Sequence, residues 1–332
     1  MIRVPRKGPL AAFAVLLCAV LGAVVWVSVS DGDSGDAGES DGSGEFTARR
    51  PATEPGRSES AAAFVPITVV KIDNVPAARP QSGLEDADVV YVEPVEGGFT
   101  RLAAVYSSRF PEVSGPVRSA RESDVELLAQ YGEPALVFSG AAPEIEPALA
   151  ESSAMLVRQR DNPDAFYREP GRAAPHNLYA RLPLLPRGSG PGPDEVLPRG
   201  EAPPDGRQVA GHTVAFERGE YRFTWSPDAG RWLVALNGTP VTSTGAGEVG
   251  ATSVVVQRVS LVEGTGVRDA SGSPSPVVRS VGTGPATILR EGRLFDGTWS
   301  RPSAVDGTRF TTSSGQPLRL TDGPVWVLLL PS

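Results

Sequence analysis

Residues 325–331 read VWVLLLP, a run in which six consecutive side chains are apolar and none is charged. Six such residues on a protein surface would create an aggregation hazard, so the run predicts an interior strand. Further strand candidates precede it, separated by Gly, Pro, Asn and Asp: YRFTWS (221–226), RWLVALN (231–237), SVVVQRVSLV (253–262) and ATILREGRLFDGTWSR (286–301). This pattern is typical of a β-sandwich or barrel. Residues 209–332 are therefore predicted to form a β-rich C-terminal domain with its tryptophans in the core.

Residues 63–182 show a different pattern, in which strand and helix signals alternate. Apolar, β-branched runs predict strands at FVPITVVKI (64–72), residues 87–92, FTRLAAVYS (99–107), ALVFSG (135–140) and AMLVR (154–158). Helical spacing lies between them, and two of the strands read as a hairpin, which predicts an α/β-like mixed sheet. The chain as a whole is predicted to be α+β, an α/β-like N-terminal domain followed by the β-rich domain. Residues 183–208 form the Pro/Gly-rich connection.

The first predicted helix follows a motif that raises a functional question. Val125, Leu128 and Tyr131 share one helix face, with Ser123 as N-cap and Glu126 completing a capping box. Directly before the helix stands GPVRSAR (115–121), which places two arginines three residues apart on a Gly/Pro turn. Backbone N–H groups at a helix start favour negative charge, and arginine adds bidentate donors. The motif therefore predicts an anion site, with ion pairing inside the protein as the alternative.

The N-terminus carries the signals of a membrane anchor. Residues 10–29 read LAAFAVLLCAVLGAVVWVSV, which is long enough to span a bilayer. Residues 1–9, which include three basic side chains, are predicted to be a cytoplasmic N-terminus. Residues 10–30 are predicted to be a single transmembrane signal anchor, and residues 31–62 a disordered acidic Gly/Ser linker. The remainder is then extracytoplasmic. Cleavage near Ser30, followed by secretion, is the alternative. A lipid anchor on Cys18 is rejected, because the residue before it, Leu17, is bulky.

Composition excludes several classes of function. The 332 residues carry a net charge of −8, which argues against binding to nucleic acid over a broad surface. One cysteine and two histidines make a zinc site of the usual kind untenable, so no metal is predicted. There is no Walker loop, no G-x-G-x-x-G after a strand, no H-E-x-x-H and no G-x-S-x-G, so no cofactor is predicted either.

Four motifs occur in a fixed order along the N-terminal region: KIDNVPAARPQSGLEDADVVY (71–91), EGGFTR (96–101), GPVRSAR (115–121) and RAAPHNLY (172–179). Together with VGTGPATILREGRLFDGTW (281–299), they resemble the YerB-like family of bacterial cell-envelope proteins, a domain of unknown function with N- and C-terminal parts. The resemblance covers residues 64–332 and implies an envelope location without an assigned chemistry. Its namesake looks like a lipoprotein, and many relatives carry Glu directly after the tyrosine of VVY, where this chain has Val92 and then Glu93.

The candidate site residues lie at predicted strand ends and turns of the N-terminal region. The candidate ligand-binding residues are Asn74, Arg79, Arg101, Arg118, Ser119, Arg121 and Asn177. Strand ends that carry loops are where open α/β sheets bind ligands, so these side chains are expected to converge. Arginine suits phosphate or carboxylate because its planar fork matches two oxygens. Internal pairing with Asp73, Glu93, Glu96, Glu122 and Asp124 is the alternative.

Asp73, Glu96 and His176 are the candidate catalytic residues. An imidazole transfers protons near neutral pH, and the carboxylates could act as acids or bases. Ordinary hydrogen bonds, and an Asx turn at Asp73 and Asn74, are the alternatives.

Three functions follow from these observations. The first is a membrane-tethered extracytoplasmic protein that binds an anionic envelope component, such as a wall polymer or a lipid-linked phosphate, through an arginine-lined pocket. The second is an envelope enzyme, a phosphotransferase or hydrolase, that uses the same pocket. The third is a structural or protein-interaction module whose arginines pair internally.

Overall fold

The computed structural model describes residues 64–268 and 272–332. Strands in the first half are β1 (Val65–Ile72), β2 (Val89–Pro94), β3 (Thr100–Tyr106), β4 (Val113–Ser114), β5 (Ala135–Phe138), β6 (Met155–Arg158), β7 (Phe166–Arg168), β8 (Leu178–Arg181), β9 (Gly188–Gly190) and β10 (Arg207–Gln208). The helices are α1 (Glu122–Leu128), α2 (Glu146–Glu151) and α3 (Pro193–Val196), and short 3-10 turns lie between several of these elements.

The described residues of the second half form strands joined by turns and loops. These strands are β11 (Gly211–Phe216), β12 (Gly219–Ser226), β13 (Arg231–Leu236), β14 (Thr239–Pro240), β15 (Thr242–Ser243), β16 (Gly247–Glu248), β17 (Gly250–Ala251), β18 (Ser253–Arg268), β19 (Pro274–Arg279), β20 (Gly282–Arg290), β21 (Arg293–Arg301), β22 (Arg309–Thr312) and β23 (Val325–Pro331).

Strands from both halves of the chain share one 13-stranded sheet. Its order is β10-β21-β20-β18-β23-β2-β3-β1-β5-β6, with β19, β22 and β9 paired at its sides. The predicted interior strand at residues 325–331 is confirmed as β23, which lies parallel to β2 on one side and to β18 on the other. The β2–β3 hairpin is also confirmed.

The predicted fold class is wrong. The structure is 49% strand and only 14% helix, so it is a mostly-β protein rather than an α+β one. The β-branched runs of the N-terminal region form strands as expected, but α1 and α2, the helices between them, are only seven and six residues long, because Pro and Gly are frequent there. Within that region β4, β7 and β8 form a small three-stranded sheet, whereas β1, β2, β3, β5 and β6 do not form a sheet of their own. They continue into the strands of the C-terminal region through β23.

The large sheet has a different cover on each face. Val70, Val90, Leu102, Leu328 and Trp326 point to one face, where they pack against the smaller sheet formed by β11, β12, β13, β14 and β17. Alternate residues on the same strands point to the other face and pack against α1 and α2. Both faces of the central strands are therefore buried, which explains their continuous apolar sequences.

The boundaries proposed between segments stay predictions. Residues 183–208, predicted as a connection, carry β9, α3 and β10, and these strands pair with β1 and β21. Among the described residues, no helix is both long and apolar enough to cross a bilayer. The predicted anchor at residues 10–30 lies outside the described residues.

Trp326 provides a test of the shared core. Its buried ring contacts Tyr221 and Phe223 of the smaller sheet, with ring centroids 6.2 and 6.3 Å away. We expect Trp326→Ala to lower the free energy of unfolding by about 3–5 kcal/mol, because it leaves a large cavity between the two sheets. Urea unfolding followed by circular dichroism measures this change. Val305→Ala, at an exposed position, should change it by less than about 0.5 kcal/mol. A similar loss in both variants would contradict the shared core.

Candidate functional site

The motif GPVRSAR (115–121) lies between two strands of the sheet rather than on a free turn. The Arg118 N–H donates to the Lys71 carbonyl at 2.8 Å, and the Asp73 N–H donates to the Pro116 carbonyl at 2.8 Å. On the other side, the Ser139 N–H donates to the Arg118 carbonyl at 3.1 Å. The motif therefore fills the gap where β1 and β5 separate, and its backbone fixes the positions of both arginines.

The helix that follows is capped differently from the prediction. The Arg121 N–H donates to the Asp124 carboxylate at 2.7 Å, so Asp124 rather than Glu126 closes the first turn of α1. Ser123 and Glu126 bind a neighbouring strand instead. The Ser123 hydroxyl accepts from the Val278 N–H, and the Glu126 carboxylate accepts from the Ser280 N–H. The predicted capping box is wrong because these two polar groups satisfy the end of β19.

Asp73 joins two of the predicted site residues. Its carboxylate is 2% exposed, and one oxygen, Oδ2, lies 3.0 Å from Arg118 Nε and 2.7 Å from His176 Nδ1. The Nε–H of Arg118 does not point at this oxygen, so that contact is an ion pair without a hydrogen bond. The side chains of Arg118 and His176 remain 26% and 23% exposed. Asp73 therefore holds two partly exposed side chains at one edge of the sheet.

Glu96 and Arg121 form a second ion pair. Arg121 Nη2 donates to Glu96 Oε2 at 2.9 Å, and Arg121 Nε lies 2.6 Å from Oε1. Burial raises the pKa of Glu96, but the hydrogen bond and the charge of Arg121 and a hydrogen bond from Ser275 outweigh it, so this pKa lies below its ordinary value. Glu96 is thus an ionised carboxylate that neutralises Arg121.

Arg101 differs from the other two arginines. It is 6% exposed and forms no ion pair with a carboxylate among the described residues. Its Nη1 donates to the Ser119 carbonyl at 3.1 Å, while Nε has no partner. Burial, followed by the positive charge of Arg121, lowers the pKa of Arg101 to about 10, and the charges of Asp73, Glu96 and Arg118 also act on it. Arg101, Arg118 and Arg121 are therefore near one another, and we call these three residues the arginine cluster.

A buried ion triad lies beneath the arginine cluster. Lys71 Nζ donates to Glu93 at 2.7 Å and to Asp124 at 2.6 Å, and all three side chains are almost fully buried. Burial raises the pKa of Glu93 from its ordinary 4.5 to about 7, because the neighbouring Asp124 adds to the effect of burial and Lys71 only partly offsets it. Lys71 was missed as a site residue. A lysine at the end of an otherwise apolar buried strand was the available signal.

The remaining predicted residues lie near the cluster but are bound to the protein itself. The Asn74 amide donates to Thr100 and Tyr221, which ties β3 to β12. Arg79 donates to the Asn74 carbonyl at 2.6 Å and lines a cavity of about 220 Å³ beside Pro240.

Asn177 and Ser119 also have partners within the protein. The Asn177 side chain binds Arg168 and the carbonyls of Glu169 and Arg172, which closes the loop before β8. The Ser119 hydroxyl lies 3.5 Å from that of Ser139. The structure thus brings Arg101, Arg118, Arg121, Asp73, Glu96 and His176 together, and it uses Asn74 and Asn177 to hold the chain around them.

Two large cavities among the described residues have no member of the arginine cluster in their lining. One of about 520 Å³ is lined by Val95, Phe216, Leu261 and Leu330 among others, and one of about 500 Å³ by Glu85, Glu112, Tyr167 and Tyr179 among others. The cavity beside Arg121 is only about 10 Å³. Within residues 64–268 and 272–332, no three His, Cys, Asp or Glu side chains are grouped closely enough to hold a metal ion.

The raised pKa of Glu93 predicts how stability depends on pH. The folded state binds this proton more tightly than the unfolded chain does, so the contribution of Glu93 is greatest below pH 4.5 and is lost as the pH rises to about 7. Glu93→Gln lacks this dependence. We expect the free energy of unfolding of the variant, relative to the unaltered protein, to rise by on the order of 3 kcal/mol between pH 4.5 and 8.

Urea unfolding at a series of pH values measures this difference. The exposed Glu144→Gln is the matched control, and its difference from the unaltered protein should stay constant with pH. A constant difference for Glu93→Gln as well would contradict the raised pKa.

Comparison of the sequence and the fold with those of known proteins identifies relatives of this chain. Models of the N- and C-terminal domains of "Protein of unknown function (DUF3048)" match residues 52–189 and 212–327. The protein named "Putative lipoprotein YerB" from Bacillus subtilis (strain 168) is 39% identical over 115 residues, and the match spans 34% of each chain. The crystal structure of YerB from Bacillus subtilis has a TM-score of 0.66 at 21% identity, covering 83% of this chain and 94% of that one, which shows a shared fold. The resemblance seen in the sequence motifs is confirmed, and the chain belongs to the DUF3048 family.

Proposed function

We propose that this chain is a membrane-tethered, extracytoplasmic protein of the cell envelope that binds an anionic ligand at the arginine cluster. Its location is supported by the lipoprotein name of the Bacillus relative and by the apolar run at residues 10–29, with basic residues before it and an acidic linker after it. A single-pass helix is the proposed anchor for this chain, because Leu17 before Cys18 does not suit lipid attachment.

An anionic ligand is proposed because Arg101 is a buried arginine without a carboxylate partner among the described residues. A buried cation is normally paired with a carboxylate, because an unpaired charge is costly to remove from water. Arg101 has no such partner among the described residues, whereas its neighbours Arg118 and Arg121 do. A bound anion would supply the missing negative charge, and the partly exposed Arg118 and Arg121 would flank it.

The ligand is proposed to be a phosphate-bearing component of the envelope, such as a wall polymer or a lipid-linked phosphate. Arginine binds phosphate oxygens through paired N–H donors, and each such bond contributes roughly 1.5–3 kcal/mol. Nucleic acid is not proposed, because the chain has a net charge of −8.

Binding measurements on the full chain in an uncharged detergent test this function. We expect saturable binding of at least one of inorganic phosphate, pyrophosphate and dimethyl phosphate by isothermal titration calorimetry. Arg118→Gln and Arg121→Gln should each weaken that binding by roughly 10- to 100-fold, because each removes a charge-assisted donor. Arg160→Gln, which removes an equally charged but exposed side chain, should leave the affinity unchanged.

Two further results bear on this test. Melting temperatures of the variants show whether a lost affinity reflects unfolding. If Arg118→Gln and Arg121→Gln fold and bind as tightly as Arg160→Gln, the proposed site is wrong.

The contact between Asp73 and His176 favours a second candidate, a hydrolase acting at the same place. Asp73 accepts the hydrogen bond at His176 Nδ1, which leaves Nε2 open to solvent and without a partner among the described residues. An imidazole oriented by a carboxylate is the usual arrangement of a general base. Here it would take a proton from water that attacks the phosphorus of a bound ester and return it to the leaving alcohol.

Hydrolysis of bis(p-nitrophenyl) phosphate tests this candidate. We expect slow release of p-nitrophenol by the unaltered protein, and a loss of 10²- to 10⁴-fold in kcat for His176→Gln and for Asp73→Asn. Hydrolysis that persists when Asp73, Glu96 and His176 are all replaced would exclude them as proton-transfer groups. His212→Gln, a histidine elsewhere in the fold, is the control.

A further inference from the structure

The charges around the proposed site limit the charge of its ligand. The arginine cluster carries three positive charges, and Asp73 and Glu96 neutralise two of them. Directly beneath, Lys71 lies between Asp124 and Glu93. With Glu93 ionised, cations and carboxylates are equal in number and the whole group is neutral. With Glu93 protonated, one positive charge remains, and the group lacking a carboxylate partner is Arg101.

Glu93 lies close to Arg101, so its charge affects the binding of an anion there. It lies directly opposite Arg101 in the antiparallel β2–β3 pair, so the two side chains leave the sheet on the same face. Yet no ion pair joins them, since Glu93 Oε1 accepts from Lys71 and Oε2 has no partner in the part of the chain that the structure describes. An ionised Glu93 thus offsets the charge of Arg101 only from a distance.

The charges around Glu93 are compatible with a proton on its carboxyl group. Glu93 and Asp124 both contact Lys71 Nζ, at 2.7 and 2.6 Å, so when Glu93 is protonated Lys71 balances the single negative charge that remains on Asp124. Among the described residues, Arg101 from β3 and Tyr91 from its own strand also face Glu93. Burial raises the pKa of Glu93 to about 7, so a proton is gained there at little cost near neutral pH.

On these contacts, we infer that the arginine cluster takes an anion of a single charge, a phosphodiester, and that Glu93 takes up a proton when the anion binds. The inference rests on the proposed function and specifies its ligand. A phosphomonoester carries close to two charges above neutral pH. It would leave one negative charge without a partner in a largely buried site, which is unfavourable. A phosphodiester linkage of a wall polymer and one of a lipid-linked precursor share the chemistry that fits.

Two small ligands, one with a single negative charge and one with close to two, test which ligand charge the site prefers. Isothermal titration calorimetry at pH 8.0, on the full chain in an uncharged detergent, compares dimethyl phosphate with methyl phosphate. We expect dimethyl phosphate to bind about 10-fold more tightly, which corresponds to about 1.4 kcal/mol. Tighter binding of methyl phosphate would overturn the inference while leaving an anion site in place. No binding of either ligand, or of inorganic phosphate and pyrophosphate, would overturn the proposed function as well.

The linked proton is measured by repeating the dimethyl phosphate titration in Tris and in HEPES, whose heats of ionisation differ. We expect the unaltered protein to take up close to one proton per ligand at pH 8.0, and Glu93→Gln to take up none. Glu93→Gln should also bind more tightly at pH 8.0, because its amide permanently replaces the protonated carboxyl beside Asp124. Proton uptake that is unchanged in Glu93→Gln would refute the assignment.

His176 contacts Asp73 at the same site, and His176→Gln separates a contribution of this imidazole from that of Glu93. Proton uptake that persists in His176→Gln supports Glu93 even if Glu93→Gln does not fold. Loss of proton uptake in His176→Gln would assign the proton to the histidine and overturn the inference. Binding of glycerophosphoglycerol, as a fragment of a polymer backbone, compared with a short-chain phosphatidylglycerol then distinguishes the two sources of the phosphodiester.

Discussion

The fold depends on the backbone pairing of β23 with strands on both of its sides. β2 comes from the first part of the chain and β18 from the second, and β23 lies between them with every paired residue buried or nearly so. Without it, each neighbour would present a row of unpaired N–H and C=O groups in an apolar core, which is costly. Both covering layers, the smaller sheet on one face and the helices on the other, pack against side chains that this arrangement holds in place.

Much of the secondary structure was predictable from the sequence, but the pairing of strands from the two halves of the chain was not. The strands at residues 64–72, 99–107 and 325–331 are strongly apolar and β-branched, and a local pattern is enough to predict them. Which strands pair depends on contacts between residues far apart in sequence, and no local pattern contains that information. The alternation of short helices and strands before residue 182 suggested a separate α/β layer. The helices proved too short to form one, and the strands found partners beyond residue 250 instead.

In the candidate site, too, individual residues were predictable from the sequence but their contacts were not. Arg118 and Arg121 were recognisable from their spacing in GPVRSAR, Asp73 from its place after an apolar strand, and His176 from its place in an Arg/Pro-rich loop. The contact between residues 73 and 176 could not be predicted, because it depends on how the loop before β8 returns to the end of β1. Lys71 was not recognised. It lies inside a strand that was predicted only from its apolar neighbours, and its two ion-pair partners are 22 and 53 residues away in the sequence.

The position of β23 within the sequence also has a consequence for how the chain folds. Val89 pairs with Val325, so the centre of the sheet forms only when residues from opposite ends of the folded region meet. Such a high contact order slows folding, because the entropy of closing a long loop is lost before the pairing is gained. A chain emerging from its N-terminal end exposes the edges of β2 and later of β18 until residues 325–331 arrive. During that interval the two unpaired edges are able to pair with other chains, which favours aggregation over folding.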